Sequence, residues 1–310
     1  MTDGFEGYSR ASVVVPTYNR LADLRRVVAA VSDQIERYPG TCELVIVNDG
    51  SSDGTGDWLD AHAAEAGFKA VHQDNAGPAR ARNRGVAASD GEVILFLGDD
   101  TVPADGWLLE HLEGHRLAGR TTAVAILGYT SFPATWDSPF LRWINEHGAQ
   151  FGYALIEDPS RVPFNFFYTS NISLPRAIFE EFGGFREDFP AAAWEDIEFA
   201  YRVVDAGLTL CYRPRARTVH QHRIGIRSFC RRQKTSGRSA AIFARLHPEL
   251  EAFLGVGCIG RSNLRSRLSR PLLRSWIRLG ELIPCLVSHG DYRRLLDGYY
   301  LEGLRVSLIK

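Results

Sequence analysis

Short apolar runs alternate with helical periods along the first two hundred residues. Residues 12–16 (SVVVP) read as a buried strand stopped by proline. Leu21, Leu24, Val27, Val28 and Val31 then recur at helical spacing. Residues 43–47 (ELVIV) form a second strand signal, followed by a dense turn cluster over 48–54. A helix is predicted over about 78–88, with a proline suited to its first turn. Residues 92–97 (EVILFL) are the most apolar strand and run straight into Gly98-Asp99-Asp100. Pro103 restarts a helix through Trp107, Leu108 and Leu112. Strands this apolar, alternating with helices, predict an α/β fold with a mostly parallel sheet covered on both faces. From about Tyr129 aromatic residues replace clean periods. Residues 164–168 predict a strand, 175–182 a helix, and Trp194-Glu195-Asp196 opens a helix ended by Gly207. Two short strands are expected near 208–212 and 218–222. Residues 228–246 and about three segments over 263–309 read as basic amphipathic helices.

Composition narrows the class. With 310 residues, 45% hydrophobic and 24% charged, the chain has enough material for a real core. Disordered, collagen-like and coiled-coil proteins are excluded. No apolar run reaches the ~18 residues a membrane span needs, and the polar start MTDGFEGYSR lacks a signal-peptide core. Cys42, Cys211, Cys230, Cys258 and Cys285 are dispersed, which fits reduced thiols in a cytoplasmic protein. The net charge of −1 hides an asymmetry: residues 211–310 hold 20 Lys and Arg against 6 Asp and Glu, while residues 1–210 hold 16 against 31. A basic C-terminal region would either pack on the acidic body or meet an anionic membrane surface as a peripheral attachment. No nucleic-acid-reading motif accompanies the charge, so no nucleic acid is expected.

In sheets of this kind ligands bind outside the carboxyl ends of the strands. Thr17-Tyr18-Asn19, the 49–53 turn and Asp99-Asp100 all fall there. Two adjacent carboxylates call either for a divalent cation, Mg²⁺ or Mn²⁺, or for a role capping the next helix. Glu195-Asp196 at a helix start would complement the dipole or supply a general base. His220 and His222, two apart in an expected strand, would share a face and could meet a cation or a diphosphate. Arg82 offers a bidentate fork for a phosphate or ribose, or belongs with Arg80 and Arg84 to a solvated face. Arg227, Arg231, Arg232 and Lys234 would cover a pyrophosphate or face a membrane. Trp136, Trp143, Phe166 and Tyr168 would stack an acceptor or fill the core.

Taken in order, these motifs resemble those of family 2 glycosyltransferases over about residues 10–247. They are Val13 to Arg20, Val45 to Thr55, Asn75-Ala76-Gly77, Ala81 to Gly85, Phe96 to Asp100, Gly183-Gly184-Phe185 and Trp194 to Glu198. The resemblance implies a GT-A fold, a nucleotide-sugar donor and an inverting, metal-assisted transfer to a hydroxyl-bearing acceptor. Asp49 is similar to the family's base-reading aspartate, with Pro16, Thr17 and Tyr18 lining the nucleobase pocket. Asn19 and Gly77 join them at the donor. Asp99 matches the carboxylate at the ribose and Asp100 the metal ligand, with His220 and then His222 as further ligands. Asp196 matches the general base, and Glu195 would orient the acceptor. Gly98 departs from the pattern, standing where many relatives have a further aspartate.

These expectations give residues 1–222 as a GT-A nucleotide-sugar-binding and catalytic domain and 223–310 as a basic helical region. Two rivals are a catalytically silent nucleotide-sugar-binding or scaffold protein and a nucleotidyltransferase. The second would carry a Gly-rich, Arg-bearing loop after the first strand, where this sequence has Pro16-Thr17-Tyr18-Asn19-Arg20.

Overall fold

The structure is a computed structural model that describes residues 8–119, 123–261, 264–280, 283 and 286–308. The chain divides into two compact units. The first comprises Met1–Pro133, Ile156–Glu187 and Glu195–His222; the second comprises Ala134–Leu155, Asp188–Trp194 and Arg223–Lys310.

The first unit is built on one eight-stranded sheet. Its strands are β1 (Arg10–Thr17), β2 (Thr41–Asp49), β3 (Phe68–Gln73), β4 (Val93–Leu97), β5 (Thr101–Pro103), β6 (Val124–Ser131), β7 (Asn171–Pro175) and β8 (Thr209–His220). Their spatial order is β3-β2-β1-β4-β7-β6-β8-β5. β1 to β4 are mutually parallel, β7 runs antiparallel to both β4 and β6, and β8 is parallel to β6 and antiparallel to β5. The sheet is therefore mixed.

Alternation within the apolar strands sends side chains to both faces, and both are covered. On one face Val13, Val15, Leu44, Ile46, Leu95 and Leu97 pack against Leu24, Val27 and Val31 of α1 (Leu21–Arg37), Leu59 of α2 (Thr55–Ala66), and Trp107 and Leu108 of α4 (Trp107–Ala118). On the other lies α3 (Pro78–Ala87), whose Gly85 approaches β1 and β2 so closely that a Cβ would strike Val14 and come within 3.1 Å of Val47. Beside it Phe96 of β4 meets Phe179 of α6 (Arg176–Glu181) at 5.5 Å and Phe185 at 5.1 Å. Phe199 of α7 (Glu195–Asp205) stands 5.1 Å from Phe185. This aromatic cluster sets where α7 begins.

Several elements differ from expectation. Residues 164–166 form a 3₁₀ turn, and the strand comes later as β7. β7 carries Asn171 and Ser173, both fully buried, so no apolar run announces it. Their partners lie on α4 and, for Asn171 Nδ2, which donates to Ala216 O at 2.9 Å, on β8. Trp107 Nε1 donates to Asn171 Oδ1 at 2.7 Å, and His111 Nε2 donates to the same oxygen at 2.9 Å. His111 Nδ1 then accepts from Ser173 Oγ at 2.9 Å, whose oxygen accepts from His115 Nε2 at 2.8 Å. These roles suit two neutral rings. Burial drives His111 down to about 4 and His115 down to about 3. The two short strands expected near 208–222 are one strand, β8, and His222 lies past its end. Its pairing with β6 shifts between Gly128 and Tyr129. Pro103 closes β5, and α4 starts only after Gly106, whose φ of +79° suits glycine.

The second unit is helical, with α5 (Pro139–Glu146), α8 (Ile226–Leu246), α9 (Leu264–Gly280) and α10 (His289–Leu308). α8 and α10 cross where Gly237 faces the Tyr300 carbonyl and Gly303 faces the Lys234 carbonyl, positions with no room for a Cβ. Phe140 packs on Phe229 and Tyr292, and Trp143 on Tyr292 at 5.2 Å. Trp143 and Phe166 are buried, as core residues are. Among the described residues Cys42, Cys211, Cys230 and Cys258 are free thiols, and Cys285 lies outside them.

Candidate active site

Three groups of side chains converge at the carboxyl ends of the first strands. The first is formed by loops. Asn19, at φ +53°, accepts from Ser52 N through Oδ1 at 2.7 Å, and its own N–H donates to Ser51 Oγ at 2.9 Å. Asp53 accepts from Leu21 N at 3.0 Å and from Thr55 N at 3.1 Å, which caps α1 and α2 with one carboxylate. Asp49 closes the β2 end. Its Oδ1 accepts from Gln73 Nε2 at 2.7 Å and Ala76 N at 2.8 Å, and its Oδ2 from Gly77 N at 3.0 Å. A carboxylate has about four acceptor sites, so this one keeps a single site, on Oδ2, for anything else. Gly77, at φ +93°, heads α3. Pro16 and the half-exposed Tyr18 border the same loops.

The second group surrounds Asp99-Asp100. Thr17 Oγ1 donates to Asp99 Oδ2 at 2.9 Å. Arg20 Nη1 donates to Asp99 Oδ1 at 3.1 Å and also to Asp100 Oδ2. β5 pairs Thr101 with His220 on β8, which brings His220 Nε2 to 3.7 Å from Asp100 Oδ2. The exposed His222 ring lies 6.3 Å from His220. The two carboxylates are pushed apart electrostatically. Burial raises Asp99 to about 6, the Asp100 charge adding to it against Arg20 and Thr17. Burial also acts on Asp100, but His220, Arg20 and His222 outweigh it and hold that carboxyl below the usual range. Gly98 has a steric reason: a Cβ there would lie 2.8 Å from Thr101 Oγ1 and 3.2 Å from Asp100 Oδ1.

The third group is at the start of α7. Arg82 Nη1 donates to Glu195 Oε1 at 2.9 Å, and both side chains are buried. Arg82 is thus drawn away from the solvated face that the exposed Arg80 and Arg84 form. Asp196 Oδ1 accepts from Ile197 N at 2.9 Å, and its Oδ2 lies 3.4 Å from Thr169 N and Oγ1. Burial raises both carboxyls. Glu195 goes up to about 7, assisted by the Asp196 charge and opposed by Arg82; Asp196 is raised by burial against Arg82 and the backbone donors. Asn83 fastens the Gly183-Gly184-Phe185 turn to α3, its Nδ2 donating to Phe185 O at 2.8 Å and its Oδ1 accepting from Phe185 N at 3.0 Å.

The second and third groups share a segment. Gly98 N donates to Ser170 O at 3.3 Å, and the adjacent Thr169 reaches Asp196. Among the described residues, Ser170 Oγ, Glu195 Oε2, Arg82 Nε and Gln73 Oε1 are buried polar atoms here with no hydrogen-bond partner. Arg20, Gln73, Asn83, Thr169 and Ser170 escape a reading of the sequence as separate motifs. Only Arg20 and Asn83 carry a signal, as members of motifs whose other residues draw attention.

A divalent cation fits the donor set. Asp100 Oδ2 and His220 Nε2 are 3.7 Å apart, a span that two ligands at about 2.1 Å from one cation can adopt. Among the described residues no three His, Cys, Asp or Glu side chains form a ready cage. Mg²⁺ and Mn²⁺ fill such open shells with water and substrate phosphates.

The fold defines the class. A mannosyltransferase of Pyrobaculum calidifontis, solved with GDP-Man and Mn²⁺, aligns with a TM-score of 0.61 at 16% identity over 97% of this chain and 87% of that one. Staphylococcus aureus TarS 1-349, solved with UDP-GlcNAc, aligns at 0.55 and 16% identity over 94% and 90%. Identities this low speak for the fold alone, and that fold is GT-A. Residues 12–183, more than half the chain, match the model for glycosyl transferase family 2, and the protein belongs to that family. Among curated relatives, the pre-mycofactocin glycosyltransferase of Mycobacterium tuberculosis (strain ATCC 25618 / H37Rv) is 29% identical over 79% of this chain and 50% of its own length. The validoxylamine A glucosyltransferase of Streptomyces hygroscopicus subsp. limoneus is 30% identical over 77% and 57%. The chain spans about half the length of these relatives.

Proposed function

We propose that this protein is an inverting glycosyltransferase that moves a sugar from a nucleoside diphosphate-sugar to a hydroxyl-bearing acceptor, assisted by Mn²⁺ or Mg²⁺. One observation carries the reading. The Asp99-Asp100-His220 group and the Asp196 carboxylate are tied to one segment, through Ser170 and Thr169. A leaving diphosphate and an attacking hydroxyl need those two functions side by side. The solved neighbours carry GDP-Man or UDP-GlcNAc, with Mn²⁺ in the mannosyltransferase, which supports a donor of this class.

In this mechanism Asp49, through its remaining acceptor site, and Gln73 Oε1 receive N–H groups of the base. Tyr18 and Pro16 flank it, and Asn19 and Gly77 hold the loops in shape. Asp99, braced by Thr17, takes the ribose hydroxyls. Asp100 with His220, and His222 behind them, would hold the cation, which when bound offsets charge on the leaving diphosphate. The acceptor hydroxyl gives its proton to Asp196. The freed electron pair bonds to the anomeric carbon as the bond from that carbon to the diphosphate oxygen breaks. A single displacement inverts the centre and needs no covalent enzyme intermediate. Burial, with the Asp196 charge, raises Glu195 to about 7; burial raises Asp196 too, and the Arg82 charge opposes the rise at both. Arg82, paired with Glu195, acts through that charge balance, and Glu195 orients the acceptor.

We place the enzyme in the cytoplasm, with residues 1–222 for donor binding and chemistry and the basic residues 223–310 facing an anionic membrane surface. Asp196→Asn is expected to lower turnover by roughly 10²–10⁴ while the donor dissociation constant, from calorimetry, stays within about twofold. Wild-type turnover in this variant would remove Asp196 as base.

A further inference from the structure

The second unit contains none of the residues assigned above to the chemistry of sugar transfer. It holds 18 Lys and Arg against 9 Asp and Glu, and the helix α9 contains five arginines and no acidic residue. The rotation of α9 is set by its inner face. Ile277 is fully buried, and Arg270 donates to Gly298 O at 2.9 Å and to Glu302 Oε2 at 2.6 Å, while lying 5.0 Å over the Tyr299 ring of α10. On the opposite face stand Leu272, Trp276 and Leu279, exposed to 75%, 43% and 42%. Ile283, 46% exposed, continues the same row, its N–H bonded to Leu279 O at 3.1 Å. Steps of four, three and four residues keep all four within one narrow stripe. The exposed Arg278 lies on the flank.

We propose that the stripe Leu272-Trp276-Leu279-Ile283 lies in the interface of an anionic bilayer, with α9 parallel to the surface. Apolar side chains on one face of an arginine-rich helix, with a tryptophan among them, match the interfacial zone in both polarity and charge. No described helix is long and apolar enough to cross a membrane, so attachment would be to the surface. A second copy of the chain fits poorly, because it would press one arginine-rich helix against another with no acidic residue on α9 between them. The proposal names the contact surface of the membrane-facing reading above and does not depend on the transferase chemistry.

The test is co-sedimentation of the full chain with phosphatidylcholine vesicles, with and without about 30% phosphatidylglycerol, beside light scattering for oligomeric state. Binding to the anionic vesicles only, weakening as salt screens the charges, is the expected result. Leu272→Glu/Leu279→Glu should reduce partitioning by about a hundredfold or more, since each buried leucine is worth roughly tenfold or more. Its melting temperature and sugar-transfer turnover in detergent-free buffer should match wild type. If that pair fails to fold, Leu272→Ser/Trp276→Ser replaces it, with a loss of about tenfold or more expected. Binding of the folded variant equal to wild type overturns the proposal. So does failure of wild type to bind anionic vesicles, equal binding to neutral ones, or a dimer that only the substitution dissociates. Loss of turnover in Asp196→Asn bears on the chemistry alone, so the two readings fail separately.

Discussion

Replacing Arg82 by leucine would leave the Glu195 carboxyl in a buried site without its ion partner. The cost depends on pH, because the group has an alternative to charge. Glu195 in the folded protein is raised to about 7 with Arg82 present. At pH 6 it already holds its proton, and the substitution removes mainly the hydrogen bond from Nη1, about 1–2 kcal/mol. Above pH 7 the wild-type carboxyl ionises against Arg82, whereas in the variant its pKa rises further. A native state that holds its proton more tightly than the unfolded chain loses stability as pH rises, at about 1.4 kcal/mol per pH unit. Wild type stops losing stability near the Glu195 value, and the variant continues. By pH 8.5 the difference should have grown by about 2 kcal/mol, towards the roughly 3–5 kcal/mol typical of breaking a buried pair. Urea denaturation at the two pH values measures it directly. The double variant Arg82→Leu/Glu195→Gln should show no growth with pH. The Arg82 charge also lowers Asp196, so the acid limb of the turnover profile should move to higher pH in Arg82→Leu. A destabilisation constant from pH 6 to 8.5, with an unmoved acid limb, would refute the coupling.

Arg20→Gln should tighten Mn²⁺ binding in the absence of donor, read by electron paramagnetic resonance of free Mn²⁺, because the guanidinium shares the Asp99 and Asp100 oxygens that a cation would need; weaker binding would count against Asp100 as a ligand. His111, lowered to about 4 from 6.5, contributes stability that is present above pH 6.5 and lost as pH falls towards 4. Between pH 7 and 5 that loss is about 2 kcal/mol, and His111→Gln should reduce the acid sensitivity by that amount in urea titrations. An unchanged slope would show that the ring is not held neutral. Gly98→Ala should destabilise the fold by about 1–3 kcal/mol and weaken Mn²⁺ binding, since its Cβ would press on Thr101 and Asp100; a wild-type melting temperature and Mn²⁺ affinity would show that the loop yields freely.

β1, β2 and β4 were legible because each is apolar on both faces, as strands must be when helices cover both sides of a sheet. β7 escaped for the opposite reason. Asn171 and Ser173 occupy buried positions in a central strand, and elements far along the chain satisfy them: α4, some sixty residues earlier, and β8 through the Ala216 carbonyl. The aromatic run at 164–168 looked more like a strand than the strand itself, and it folded as a 3₁₀ turn packed on α7. β3 and β6 left no clear signal: β3 is half polar, and the apolar start of β6 runs into the Gly128 shift.

The motif loops at the carboxyl strand ends, the Asp99-Asp100 pair and the acidic start of α7 follow from local sequence, because backbone preference and strand length determine where a strand stops and a turn begins. Which carboxylate is charged does not. Arg82 and Glu195 are 113 residues apart, and Arg20 is 79 from Asp99. Their pairing required the sheet to assemble and exclude water, since burial gives these charges their strength and splits the acidity of otherwise similar groups. The basic character of the C-terminal region was written in its composition. That Leu272, Trp276 and Leu279 face outward was settled only when Arg270 and Ile277 took the inner face of the same helix.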